Sequence, residues 1–82
     1  MKTEKRVPDF DTTLGEMLRD EREQRRVTQV QLAEKLGVSK MTVSHWESGD
    51  RAMTAKRLLE YCRALGIAAD DVFARMDENA GI

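Results

Sequence analysis

Residues 28–49, TQVQLAEKLGVSKMTVSHWESG, constrain the fold more tightly than any other stretch, because nearly every position meets a need of two short helices joined by a tight turn. Thr28 followed by Gln31 has the capping-box spacing that closes the first amides of a helix. Val30, Leu32, Ala33 and Leu36 then recur at helical spacing, and Ala33 is small enough to let a second helix cross closely. Gly37 supplies the left-handed residue that stops this helix, and only Val38 and Ser39 separate it from the next helical pattern. Ser39 caps that second helix. Val43 and Trp46 mark its inward face, so Lys40, Met41, Thr42, Ser44 and His45 point largely elsewhere, and Gly49 ends the unit. The pattern is a helix-turn-helix.

The flanking residues supply three more helices. Thr13 with Glu16 repeats the capping-box spacing, and Leu14, Met17 and Leu18 carry a first helix to about Arg26. After an Asp50-Arg51-Ala52-Met53 loop, Thr54 caps a fourth helix whose apolar set is Leu58, Leu59, Tyr61, Cys62 and Leu65, ended by Gly66. Asp70 and Asp71 favour the amino end of a fifth helix containing Val72, Phe73 and Met76. Residues 1–12 mix charges of both signs around Pro8 without a sustained period, which predicts a flexible amino-terminal arm. The expected division is therefore an arm over 1–12, a helix-turn-helix domain over 13–76, and an acidic carboxyl-terminal tail over 77–82.

The order Gln29, Leu32-Ala33, Leu36-Gly37-Val38-Ser39, Val43, Trp46-Glu47 and Gly49 resembles the Cro/CI-type, or XRE-type, helix-turn-helix family, with roughly residues 13–73 covered. The resemblance implies an all-α, five-helix, lambda-repressor-like domain. In that family an Arg at the place of Arg22 pairs with a Glu at the place of Glu47, which implies a structural ion pair here. It implies base contacts from Lys40, Met41, Thr42, Ser44 and His45, and phosphate contacts from Gln29, Ser39, Arg51, Thr54 and Lys56. Ser39 and Thr54 serve as caps in either case. The family commonly forms its twofold contact through the last helix, which implies a homodimer interface of Ile67, Val72, Phe73 and Met76. Two departures stand out: Arg26 sits where the family often has Gly, so a left-handed turn there is strained, and Met53 sits where it often has Pro.

Composition narrows the function classes. The chain has 82 residues with 40% hydrophobic content, enough for one small core. One Cys and one His, far apart, offer neither zinc-ligand spacing nor a paired nucleophile and base, so an enzyme is not expected, and no cofactor or metal is implied. With no long apolar run or signal pattern, the expectation is a cytoplasmic protein of bacterial or phage origin that touches no membrane. Net charge is −1, yet it is segregated: Arg51, Lys56, Arg57 and Arg63 face Asp50 and Glu60 over residues 50–67, whereas Asp70, Asp71, Asp77 and Glu78 outnumber Arg75 beyond them. One basic face with an acidic end directed away from a polyanion fits that pattern.

Two functions compete. The first is a sequence-specific transcriptional regulator, a repressor that binds an inverted repeat in double-stranded DNA as a homodimer, with no sensor domain expected. The alternative is an antitoxin-like interaction module that neutralises a cognate protein partner and autoregulates its operon, supported by the acidic residues after Met76.

Overall fold

The computed structural model describes residues 9–79, and among them the chain forms five helices and no strand: α1 (Phe10–Gln24), α2 (Gln29–Leu36), α3 (Lys40–Ser48), α4 (Ala55–Leu65) and α5 (Ala69–Asn79). The Thr28 capping box is complete, with the Thr28 hydroxyl accepting from the Gln31 amide and the Gln31 side chain accepting from the Thr28 amide. Ser39 and Thr54 cap α3 and α4 by accepting from the amides of Thr42 and Arg57. Gly37, Gly49 and Gly66 close α2, α3 and α4 in the left-handed region that a residue without a Cβ enters at least cost.

The amino end of α1 differs from expectation. Asp9, rather than Thr13, is the cap, its carboxylate accepting from the Thr12 amide, so residues 10–12 are helical and not an arm. The arm expected over residues 1–8 lies outside the described residues. At the other end α1 stops at Gln24 instead of Arg26. Arg26 adopts φ 57°, the left-handed turn that the family's Gly would take, while the amides of Arg26 and Val27 bond back to the carbonyls of Glu23 and Arg22 at 3.0 and 3.2 Å. These bonds close the helix end despite the strain. Helix α5 runs past Met76 through Asp77 and Glu78 to Asn79, so half of the expected tail is helix, and residues 80–82 lie outside the described residues.

One core holds the helices together. Leu14, Met17 and Leu18 of α1 meet Leu32 and Ala33 of α2, Val43 and Trp46 of α3, Leu58, Tyr61, Cys62 and Leu65 of α4, and Val72 and Met76 of α5. Two residues of the predicted apolar sets are corrected: Val30 and Leu59 are each 47% exposed, because the helical spacing that placed them near the core carries them to the outer shoulder of α2 and α4. The close approach that matters most is at Gly15. A Cβ there would lie 2.5 Å from the carbonyl oxygens of Trp46 and Glu47, so the absence of a side chain lets α1 lie directly on the carboxyl end of α3. Sequence spacing had assigned the close crossing to Ala33 alone. The last helix is tied back by Glu21 of α1, which accepts from Arg75 of α5 and, at 2.6 Å, from Arg25.

Candidate nucleic-acid interface

Helix α3 has two contrasting faces. Val43, Trp46 and Glu47 are buried, whereas Lys40 and Met41 are exposed and Thr42, Ser44 and His45 are half-buried. Met41, 67% exposed, is the most solvent-exposed large apolar residue of the described chain, on a helix turned otherwise polar. At the amino end, the Ser39 and Thr42 hydroxyls stand 3.0 Å apart, so Thr42 shares its hydroxyl with the cap while its methyl group remains. At the carboxyl end, His45 Nδ1 lies 3.5 Å from Asp50 Oδ2. The backbone of this turn is held by the His45 carbonyl, which accepts from the Ser48 hydroxyl at 3.2 Å and the Arg51 amide at 3.4 Å. The five residues expected to reach bases thus all lie on α3 outside its buried stripe of Val43, Trp46 and Glu47.

The residues expected at phosphates lie at the start of α2, the cap of α3, the α3–α4 loop and the first turn of α4. Ser39, Arg51, Thr54 and Lys56 are exposed, and Gln29 is half-buried at the first turn of α2. Among the described residues, Lys40, Arg51 and Lys56 have no carboxylate within ion-pair distance, as also holds for Arg19, Arg26, Lys35 and Arg63, while Arg25, Arg57 and Arg75 each have one and Arg22 has two. Charge without a protein partner is what a polyanion can use. Arg57 is engaged instead in the scaffold, bonded to Glu60 at 2.9 Å and placed with its guanidinium 6.0 Å from the centre of the Trp46 ring.

Beneath α3 lies a buried polar cluster centred on Glu47. Arg22 donates to it twice, Nε to Oε2 at 2.7 Å and Nη2 to Oε1 at 2.9 Å, which is the ion pair implied by the resemblance. The third nitrogen of the same guanidinium donates to the Val27 carbonyl at 2.8 Å, so one side chain ties α1 to both α3 and the α1–α2 turn. Two more donors were not legible in the sequence. Gln29 Nε2 reaches Glu47 Oε1 at 3.0 Å, and the Tyr61 hydroxyl donates to Oε2 with the Leu18 carbonyl 3.3 Å away. A lone tyrosine in the otherwise apolar set of α4 was the available signal, since a buried phenol needs a partner.

The electrostatics follow. Burial alone would push the Glu47 carboxyl up, but the hydrogen bonds from Arg22, Tyr61 and Gln29 outweigh it and hold Glu47 below the usual carboxylate range. The bond to Glu47 raises Arg22 further, and burial beside that carboxylate raises Tyr61, so the cluster stays an ion pair with a neutral phenol. Cys62 is buried, and burial followed by the charge of Glu21 raises its thiol, which fits a small core residue.

Near the last helix, Ile67 of the α4–α5 turn is half-buried against the core, while Val72 and Met76 of α5 are 1% and 8% exposed within the single chain. Of the four residues expected at a twofold contact, only Phe73, at 40%, presents a large exposed apolar surface. Val72 and Met76 belong instead to the core of the single chain, and Ile67 packs against it.

Known proteins share this architecture. The family described as helix-turn-helix matches residues 18–72. The clp gene regulator ClgR from Corynebacterium glutamicum is 32% identical, with a TM-score of 0.83 over 88% of this chain and 94% of that one. The restriction-modification controller protein C.AhdI from Aeromonas hydrophila is 26% identical, with a TM-score of 0.71 over 74% of this chain and 92% of that one. Apo-HppE also matches, at 32% identity and a TM-score of 0.70, but only over 35% of its own length, so the likeness there is to one part of a longer chain. No curated protein sequence matches. The matched span includes Arg22, Gln29, all of α3 and Tyr61, and the fold is the lambda-repressor-like all-α one. The chain therefore belongs to the XRE-type, or Cro/CI-type, helix-turn-helix family of DNA-binding transcription regulators.

Proposed function

We propose that this protein is a sequence-specific repressor that sets α3 in the major groove of an inverted-repeat operator and binds as a C₂ homodimer in the cytoplasm. The observation that carries this reading is the division of α3 into a buried face and an outward face of Lys40, Met41, Thr42, Ser44 and His45. An α-helix fits the major groove, and base edges there present distinct donors, acceptors and thymine methyl groups. Lys40 donates to a guanine, and Met41 or the Thr42 methyl meets a thymine. Gln29, Ser39, Arg51, Thr54 and Lys56 grip the backbone on either side and fix register without reading sequence. Phe73 joins two copies through α5, which sets two recognition helices about one DNA turn, or 34 Å, apart.

The test is a binding profile over all single-base variants of a bound site. Lys40→Ala is expected to weaken the best site by about 1–3 kcal/mol and to relax preference at one position per half-site. A uniform loss at every position would make Lys40 a phosphate contact, and an unchanged profile would remove α3's first turn from recognition.

A further inference from the structure

Gln29 has two amide hydrogens, and the structure gives one of them to Glu47 Oε1 at 3.0 Å. The other has no acceptor among the described residues. It stands at the first turn of α2, where the Thr28 hydroxyl and carbonyl accept from Gln31 and Leu32 and the amides of Gln29 and Val30 are left without partners among the described residues. A free glutamine at such a place must surrender several rotamers before it can hold a ligand. Here one amide hydrogen is already bonded to a buried carboxylate in the unbound protein, which reduces that loss.

Three features fix that carboxylate. Glu47 is only 3% exposed, Arg22 holds both of its oxygens, and Tyr61 on α4 donates to Oε2 from the opposite element. The ion pair also removes an objection to a carboxylate near the polyanion, since the Arg22 guanidinium cancels its charge at hydrogen-bond distance. Tyr61 is fully buried, its hydroxyl bonded to Glu47 and near the Leu18 carbonyl, so it cannot itself reach DNA, and Glu47 is the bonded group that links it to Gln29.

We propose that Glu47 and Tyr61 are positioning residues for the DNA backbone: the Tyr61 hydroxyl sets the plane of the Glu47 carboxylate, and Glu47 holds the Gln29 amide with its second N–H presented to a phosphate. The inference rests on the reading of the chain as a DNA binder, and adds that all four of helices α1 to α4 cooperate in one backbone contact. Preorganisation of this kind strengthens binding without adding a contact.

The experiment is a double-mutant cycle on a duplex of arbitrary sequence, roughly 20 base pairs long, at low salt, where backbone contacts dominate affinity. Gln29→Ala and Tyr61→Phe are each expected to weaken binding by about two- to tenfold, the range of one hydrogen bond. The double variant is expected to bind no more weakly than Gln29→Ala, and the dependence on salt to keep its slope because no charge is removed. A purely structural Tyr61 would lower the melting temperature and leave the affinity of the folded protein unchanged, which would overturn the proposal. Penalties that multiply in the double variant would overturn it too, as would wild-type affinity in Gln29→Ala. Absence of any duplex binding by the wild type would instead overturn the DNA-binding reading on which it rests. Should Tyr61→Phe not fold, the side-chain amide of Gln29 in the free wild-type protein decides by NMR relaxation. The proposal requires it to be as ordered as the helix backbone; motion like that of the exposed Gln24 side chain would contradict it.

Discussion

At the scale of single residues, Glu47 carries the largest consequences. It is a buried carboxylate whose charge is matched by one buried guanidinium, and removing either partner leaves the other charged and dry. Glu47→Ala is expected to lower unfolding free energy by about 3–5 kcal/mol in a urea titration. Its titration gives a second prediction. Because Glu47 is held below the usual carboxylate range, its stabilising contribution is complete above the unfolded value, near pH 4.3, and is lost as pH falls through the lower folded value. Stability measured against pH should decline on the acid side, and the Glu47 carboxyl carbon followed by NMR should titrate below the ordinary value; a midpoint at or above 4.3 would contradict the cluster. Arg26 argues in the opposite direction. At φ 57° its Cβ is strained, so Arg26→Gly is expected to raise stability by about 0.5–1 kcal/mol after the entropic cost of glycine is deducted. The pair Arg22–Glu47 and the strain at Arg26 were both accessible from resemblance and spacing. The Gln29 and Tyr61 bonds were not, because residues 14 and 18 positions from Glu47 along the chain meet it only through the packing of separate helices.

At the scale of elements, the crossings of α1 over α3 and α2 over α3 are set by small residues as much as by large ones. Gly15→Ala would place a methyl group against two backbone carbonyls that cannot rotate away. We expect a loss of about 1–3 kcal/mol from the forced separation of α1 and α3, read from thermal or urea unfolding; an unchanged stability would mean that the helices are free to slide. The helix-turn-helix itself was legible in nearly every detail, since Thr28, Gly37, Ser39 and Gly49 each play a local role that a local pattern reveals. The start of α1 was not. Thr13 has the capping-box spacing, but the Asp9 carboxylate takes the cap by accepting from the Thr12 amide, a choice that spacing alone does not make. Periodicity likewise placed Val30 and Leu59 at the edge of an apolar stripe, where helical spacing does not separate a core residue from a shoulder. The tie of α5 to α1 through Glu21 and Arg75 joins positions 54 residues apart, and no local signal carries it.

At the scale of the whole molecule, the proposed assembly and base readout turn on exposed residues of α5 and α3. With Val72 and Met76 committed to the interior, Phe73 is the residue on which the proposed twofold contact through α5 rests. Phe73→Asp is expected to yield a folded monomer in sedimentation, and a dimer that persists would move the contact elsewhere on the chain. An overall charge of −1 does not oppose DNA binding, because Lys40, Arg51 and Lys56 lack carboxylate partners among the described residues while Arg22, Arg25, Arg57 and Arg75 are paired within the scaffold. The central claim is that the outward face of α3 reads base sequence as one half of a dimer. Selection of bound sequences from random duplex DNA, followed by titration of the selected duplex at several salt concentrations, tests it most directly. The account predicts enrichment of an inverted repeat with half-sites about one helical turn apart and an affinity that falls steeply with salt. Failure of the folded protein to enrich any motif would contradict it.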